Sequence, residues 1–134
     1  MKKLVFIGDN RLDRFILKRI LQRYNLGYEV SCTHDGQEVI GLLRQNKSDM
    51  RGLPDIIILD LHMPGVDGWA FLEQVQKLHA SLAKAICVYI LSSSIDPHQI
   101  HRSKRFPCVK SFLFKPITKE VLERLISEEI HSRQ

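Results

Sequence analysis

The chain has 134 residues, 44% of them hydrophobic, which is enough for one domain with its own core and leaves no length for a second. Its apolar start, Leu4–Ile7, is too short for a secretion signal, and no stretch approaches the roughly 18 apolar residues of a membrane span. The three cysteines lie far apart in apolar surroundings, which predicts reduced core thiols in a cytoplasmic protein rather than a disulfide framework.

The formal net charge of +5 comes from one segment, residues 97–119, which holds six basic residues and no acid. The rest of the chain is close to neutral. Because the segment lacks the exposed aromatic platform of single-strand binders and the spacing of a helix-turn-helix motif, nucleic acid is the weaker alternative as its partner. We expect instead a protein partner with an acidic docking surface. The six residues are Arg102, Lys104, Arg105, Lys110, Lys115 and Lys119.

Five short apolar runs predict strands. The third run is made of branched apolar residues and has the pattern of a strand buried on both faces, which is typical of a parallel sheet covered by helices. It ends in an acid, Asp60, and a loop with proline and glycine follows. The predicted strands are Lys3–Ile7, Tyr28–Thr33, Asp55–Asp60, Ala85–Leu91 and Val109–Phe114.

Helical patterns separate these strands. The first helix is predicted from the spacing of Leu12, Phe15, Ile16 and Ile20, which we assign to its buried face. The opposite, basic face is formed by Arg11, Arg14 and Lys18. The starts of the later helices are expected at Asp35, Gly68, Asp96 and Thr118.

Strict alternation of five strands and five helices predicts an α/β fold with a doubly wound, five-stranded parallel sheet. With right-handed crossovers, the expected topology is flavodoxin-like, with strand order 2-1-3-4-5 and one domain over residues 1–134. In this topology the carboxyl ends of strands one, three, four and five converge on one crevice. Ligands of such sheets bind beyond the carboxyl ends of the strands.

Four polar residues stand at those strand ends: Asp9, Asp60, Ser92 and Lys115. Mg²⁺ prefers carboxylate oxygens and water, an ammonium attracts phosphate oxygens, and a hydroxyl adds a neutral donor. A carboxylate can itself attack phosphorus and become an aspartyl phosphate. Each residue alone is a weak signal, but together they predict a site for a divalent cation and a phosphoryl group.

Four motifs at these positions resemble the receiver domain of two-component response regulators, and the resemblance covers nearly the whole chain. The phospho-acceptor strand of that family and the loop after it are matched by Leu59-Asp60-Leu61-His62-Met63-Pro64-Gly65-Val66-Asp67-Gly68. The other three matches are Gly8-Asp9-Asn10, Leu91-Ser92-Ser93-Ser94 and Phe114-Lys115-Pro116.

The resemblance implies a role for each matched residue. Asp60 is the expected phospho-acceptor, and the expected ligands of Mg²⁺ or Mn²⁺ are Asp9, Asp60 and the backbone carbonyl of His62. Ser92 and Lys115 are the expected phosphate-sensing pair. The remaining roles implied by the resemblance are a switch aromatic at Phe112 and a candidate cis peptide bond at Lys115-Pro116.

Three positions depart from the family pattern. Gly8 stands where the family has the first acid of a pair, so the site is one negative charge short. This loss is expected to weaken metal binding by on the order of 1–2 kcal/mol, and Gly8→Asp is expected to strengthen it with a slight loss of stability. Ser92 replaces the more frequent threonine and keeps the hydroxyl. Phe112 replaces a frequent tyrosine, and without a polar tip its ring is expected to favour a buried setting.

Three functions follow from these observations. The first is a stand-alone receiver that takes a phosphoryl group from a histidine kinase or phosphotransfer protein and then binds a downstream target. The alternative is a degenerate receiver, a binding module that Gly8 has made poor at phosphorylation. The third is an aspartate-nucleophile phosphatase, which is disfavoured because its second acid, two residues after the nucleophile, is replaced here by His62. We therefore expect no enzyme activity beyond slow Mg²⁺-dependent self-phosphorylation and self-dephosphorylation.

Overall fold

The computed structural model describes residues 2–62 and 67–132. Within these ranges five strands form one parallel sheet in the order β2-β1-β3-β4-β5, which confirms the predicted α/β fold and strand order. The elements alternate in the order β1 Lys2–Ile7, α1 Arg11–Arg23, β2 Tyr28–Thr33, α2 Gly36–Gln45, β3 Ile56–Asp60, α3 Gly68–His79, β4 Cys87–Ser92, α4 Pro97–Ser103, β5 Val109–Phe114 and α5 Lys119–Ser132.

The centre of the sheet is apolar on both faces. Every residue of β3 and β4 is buried, whereas the edge strands β2 and β5 are partly exposed. One face packs against α2 and α3, and the other face packs against α1 and α5. Helices on both faces cover the central strands, and ligands of such sheets bind beyond the carboxyl ends of the strands.

Short polar side chains cap the start of all five helices in the described ranges. Each accepts a hydrogen bond from a backbone N–H in the first turn, which satisfies a donor that the helix itself cannot pair. The helix starts predicted at Asp35, Asp96 and Thr118 are confirmed as caps, and Asn10 and Asp67 cap α1 and α3 in the same way. None of the helices in the described ranges has the length and apolar content to span a bilayer.

The predicted orientation of α1 is confirmed only in part, since Ile16 and Ile20 pack against the core but the helix is rotated from the expected position. Leu12 and Phe15, which we assigned to its buried face, are 64% and 60% exposed. The buried residues of this helix are instead Asp13, Leu17 and Leu21, spaced four residues apart. Because α1 has apolar residues around more than half of its circumference, spacing alone did not determine which face turns inward. In the observed orientation of α1, an acid, Asp13, faces the sheet.

Candidate functional site

Asp60 lies at the carboxyl end of the central strand β3 and is 1% exposed. Its Oδ1 accepts a hydrogen bond of 2.8 Å from the backbone N–H of His62, and its Oδ2 lies 2.9 Å from Nζ of Lys115. A buried carboxylate is costly unless such partners compensate it. The strand end therefore holds a charged oxygen acceptor in a defined position, with one cation beside it.

Lys115 follows β5 and joins two carboxylates. Its Nζ lies 2.9 Å from Oδ2 of Asp60 and 2.8 Å from Oδ2 of Asp13. Burial alone would lower the pKa of Lys115, but the hydrogen bonds and charges of Asp13 and Asp60 outweigh that effect and raise it above its ordinary value. The backbone N–H of Lys115 also donates to the carbonyl of Ser92, and the Lys115–Pro116 peptide bond is cis.

Asp13 is a site residue that the sequence analysis missed. It lies in the first turn of α1, is 7% exposed, and its N–H donates to the Oδ1 of Asn10. Because Asp13 lies on a helix, it does not stand at a strand end, where polar residues indicated the site. The assignment of Leu12 and Phe15 to the buried face also left Asp13 outside the predicted core. The signal that would have found it is its place at the N-terminal end of the row that Leu17 and Leu21 continue at four-residue spacing.

Gly8 is buried at the end of β1, in a space that cannot take a side chain without movement. A Cβ atom built at Gly8 would lie 2.7 Å from Cε1 of Phe6 and 3.1 Å from Cβ of Asp60. The carbonyl of Gly8 accepts hydrogen bonds from Nε and Nη2 of Arg14, at 2.9 and 2.7 Å. Gly8→Asp is therefore expected to cost more stability than the slight loss predicted from sequence, because the Phe6 ring already fills that space.

Asp9 and Ser92 complete the predicted strand-end set. Asp9 is exposed, and within residues 2–62 and 67–132 its side chain makes no hydrogen bond or ion pair. Ser92 is fully buried at the end of β4, with its Oγ 2.9 Å from Nε2 of His62 and within hydrogen-bond distance of the backbone of Ser94. From the sequence, only the backbone carbonyl of His62 was assigned a role in the site. The structure joins its imidazole to Ser92.

Phe112 lies in the edge strand β5 and is half-buried. Its ring packs beside Phe114 at 5.5 Å between ring centroids and against the core on the α2 and α3 side of the sheet. The expected buried setting is therefore reached only in part, because an edge strand has no neighbour on its outer side.

The donor atoms suit a hard divalent cation by their type. Mg²⁺ usually takes one or two carboxylates together with water, and Asp9 and Asp60 offer two carboxylates. No group of three or more His, Cys, Asp and Glu side chains within the described ranges is close enough to hold a metal by itself. Asp13 adds a carboxylate that the sequence analysis did not count, so the site has one more negative charge than predicted.

The basic segment 97–119 is less uniform than its composition suggested. Lys115 belongs to the site, and Lys119 pairs with Glu123 at 3.3 Å and lies over the ring of Tyr24. The guanidinium of Arg102 lies 4.6 Å from the centre of the Trp69 ring. The exposed basic residues that remain on this face are Lys104, Arg105 and Lys110.

Comparison with known proteins gives one consistent result. A family model described as the response regulator receiver domain matches residues 4–127. The chain is 28% identical to the probable methanogenesis regulatory protein FilR2 of Methanothrix harundinacea over 93% of its own length and 79% of that protein. It is 31% identical to the two-component response regulator ARR10 of Arabidopsis thaliana over 92% of its length, but it spans only 20% of that longer protein.

Among solved structures, the phosphorylated cyanobacterial phytochrome response regulator RcpA superposes with a TM-score of 0.73 at 28% identity, covering 96% of this chain and 91% of that chain. The alignment therefore takes in almost the whole of both chains.

Proposed function

Because this chain belongs to the response regulator receiver domain family, we propose that it accepts a phosphoryl group on Asp60 from the phosphohistidine of a histidine kinase or phosphotransfer protein. Receiver domains are signalling modules of two-component systems rather than enzymes, and they generally bind Mg²⁺. One observation carries the proposal: a buried carboxylate ends the central strand between a backbone N–H and a lysine ammonium. The buried thiols of Cys87 and Cys108 support a cytoplasmic setting.

The transfer is a displacement at phosphorus. A carboxylate oxygen of Asp60 forms a bond to phosphorus while the P–N bond of the phosphohistidine breaks. The electron pair of the broken bond returns to the imidazole nitrogen of the donor, which then takes up a proton from solvent. Lys115 stabilises the negative charge of the transferred group, because its ammonium already lies 2.9 Å from Asp60.

Asp9, Asp60 and the backbone carbonyl of His62 are the residues that would hold Mg²⁺ in this proposal. When bound, the cation supplies charge neutralisation for carboxylate and phosphoryl oxygens that would otherwise repel one another. Asp9 suits this role because it is exposed at the rim of the site and has no competing partner among the described residues. Any slow self-phosphorylation from small donors would use the same groups.

Phosphorylation is proposed to change the surface built from α4 and β5. The new phosphoryl oxygens offer acceptors to Ser92 and Lys115, so the state in which both residues reach them gains free energy. Ser92 then gives up its contact with His62, and Phe112 follows it inward. Lys104, Arg105 and Lys110 are exposed on this face, which suits a downstream partner with an acidic docking surface.

The test is incubation with acetyl phosphate and Mg²⁺, followed by intact-mass measurement. We expect one added phosphoryl group on the wild-type chain and none on Asp60→Asn. The matched control is Asp55→Asn, which changes a buried acid just before the same strand, held by Lys84 at 2.9 Å and by the backbone N–H of Lys3. Equal labelling of Asp60→Asn would refute the assignment. A wild-type chain that takes no label would support the degenerate alternative.

A further inference from the structure

We infer that Asp13 takes the place of the acid that the receiver pattern has at Gly8. Its carboxylate holds the Lys115 ammonium beside Asp60 and supplies the negative charge that attracts the divalent cation. Asp13 is thus a positioning residue, placed on a helix instead of at a strand end. This inference rests on the proposed function of Asp60.

The first step is that the end of β1 has no room for a carboxylate. A Cβ atom at Gly8 would lie 2.7 and 2.8 Å from two ring atoms of Phe6, closer than real contacts allow. Phe6 is fully buried and packs in the core on the α1 and α5 side of the sheet, so its ring cannot simply move into solvent. The charge that this position would carry has to come from another element.

The second step is that α1 delivers a carboxylate to the same place. Oδ2 of Asp13 and Oδ2 of Asp60 lie 2.8 and 2.9 Å from the same nitrogen, so the two oxygens are no farther apart than the sum of those distances. Asp13 is 7% exposed and lies in line with the buried Leu17 and Leu21. A carboxylate within an apolar stripe needs a charged partner, and Lys115 is that partner.

The position of Asp13 at the start of α1 does not by itself explain why its carboxylate is buried. An acid in the first turn stabilises a helix through its dipole, and Asp13 is in that position. Glu38 occupies the equivalent position of α2, three residues after its cap Asp35, yet it is exposed, and its one side-chain hydrogen bond within the described part of the chain comes from the hydroxyl of Thr33. The dipole therefore does not require burial, and the burial of Asp13 is explained by its ion pair.

The test is a Mg²⁺ titration of the unphosphorylated protein, followed by amide NMR shifts. For Asp13→Asn we expect the dissociation constant of Mg²⁺ to rise by roughly threefold or more, because a charge a few ångströms from the cation is removed. Glu38→Gln is the matched control: it removes a first-turn charge from another helix and should leave the constant unchanged. Equal Mg²⁺ binding by Asp13→Asn and wild type would overturn the inference.

A second experiment relocates the negative charge of Asp13 within the site. Phe6→Val with Gly8→Asp and Asp13→Asn moves the acid back to the strand end and makes space for it. We expect Gly8→Asp to tighten Mg²⁺ binding more in the Phe6→Val, Asp13→Asn background than in Phe6→Val alone, because in the latter Asp13 already supplies the charge. An equal gain in both backgrounds would count against the inference. If the triple variant does not fold, the comparison of Asp13→Asn with Glu38→Gln decides. A failure of the proposed function is separate, since it appears as an unlabelled wild-type chain whatever the Mg²⁺ affinity.

Discussion

Phe6 and Gly8 share a space at the end of β1 that the ring of Phe6 fills. Since the ring of Phe6 occupies the room of the missing side chain, Gly8→Ala is expected to destabilise the fold by roughly 1–3 kcal/mol through overpacking. The cost should be smaller in a Phe6→Val background, where the ring is absent. Urea unfolding of the four proteins of this double-mutant cycle measures the difference. The same cost of Gly8→Ala in both backgrounds would contradict the packing argument.

His62 holds the hydroxyl that the phosphoryl group is proposed to attract. Its Nε2 lies 2.9 Å from Oγ of Ser92, so this contact has to be exchanged when Ser92 turns toward Asp60. His62→Ala removes the competing partner and should strengthen binding of beryllofluoride, a phosphoryl mimic, by about two- to tenfold, the worth of one hydrogen bond. The backbone of residue 62 is retained in this variant.

The control for this prediction is Ser92→Ala, with and without His62→Ala. Once the hydroxyl is absent, removal of the imidazole should have no further effect on the affinity for beryllofluoride. An unchanged affinity in the single variant His62→Ala would show that the contact does not oppose the switch.

At the level of elements, α4 is joined to α3 by stacked side chains that can report its movement. The ring of Trp69, the single tryptophan, stacks on Phe106 at 6.1 Å between centroids and lies under the guanidinium of Arg102 at 4.6 Å. We expect beryllofluoride with Mg²⁺ to change the fluorescence of Trp69 and the amide shifts of residues 96–115. Both changes should be absent in Asp60→Asn.

The outcome that would exclude this output route is specific. If the amide of Asp60 shifts on addition of beryllofluoride while residues 96–115 and the Trp69 emission stay unchanged, the site is occupied without an effect on α4 and β5.

The strands show how much of the fold is readable from sequence. The bounds of β2 and β5 were predicted residue for residue, because polar or turn residues flank a short apolar run on both sides. β4 begins at Cys87, two residues later than predicted, since Ala85 lies exposed in the preceding loop. Alternation of strands and helices was sufficient for the strand order, because few topologies satisfy right-handed crossovers.

Residues of the candidate site could be predicted from the sequence only where the topology of the sheet determines their position. Asp60, Ser92 and Lys115 could be grouped because parallel strands end at one edge of the sheet, and the structure brings these three together. Asp13 was missed because the rotation of α1 depends on packing against the sheet rather than on spacing within the helix. The contact between His62 and Ser92 depends on the path of a loop, for which sequence periodicity gives no signal.

For the molecule as a whole, the buried thiol of Cys108 is expected to lower the free energy of unfolding as the pH becomes alkaline. Burial raises its pKa from 9.0 to about 11, so above pH 9 the unfolded chain loses a proton that the folded chain keeps. Stability is thus fully present below pH 9 and falls as pH rises toward about 11. The loss is on the order of 2 kcal/mol. The raised pKa of Lys115 adds a loss of the same sign at still higher pH.

Urea unfolding at neutral and alkaline pH checks this dependence. The variant Cys108→Ala should be less stable than wild type at neutral pH, because a buried side chain is shortened, but its stability should fall less as the pH is raised. Parallel curves for the two proteins would show that ionisation of this thiol does not contribute.

The packing of Phe6 against Gly8 also constrains how this sequence can change over generations. An acid at position 8 becomes tolerable only after Phe6 has been replaced by a smaller residue, and a smaller residue at position 6 leaves a cavity until position 8 is filled. Each single step is therefore expected to cost stability, and the pair of changes together is expected to cost less. The two positions are thus expected to change together, with a side chain at position 8 favoured beside a smaller residue at position 6.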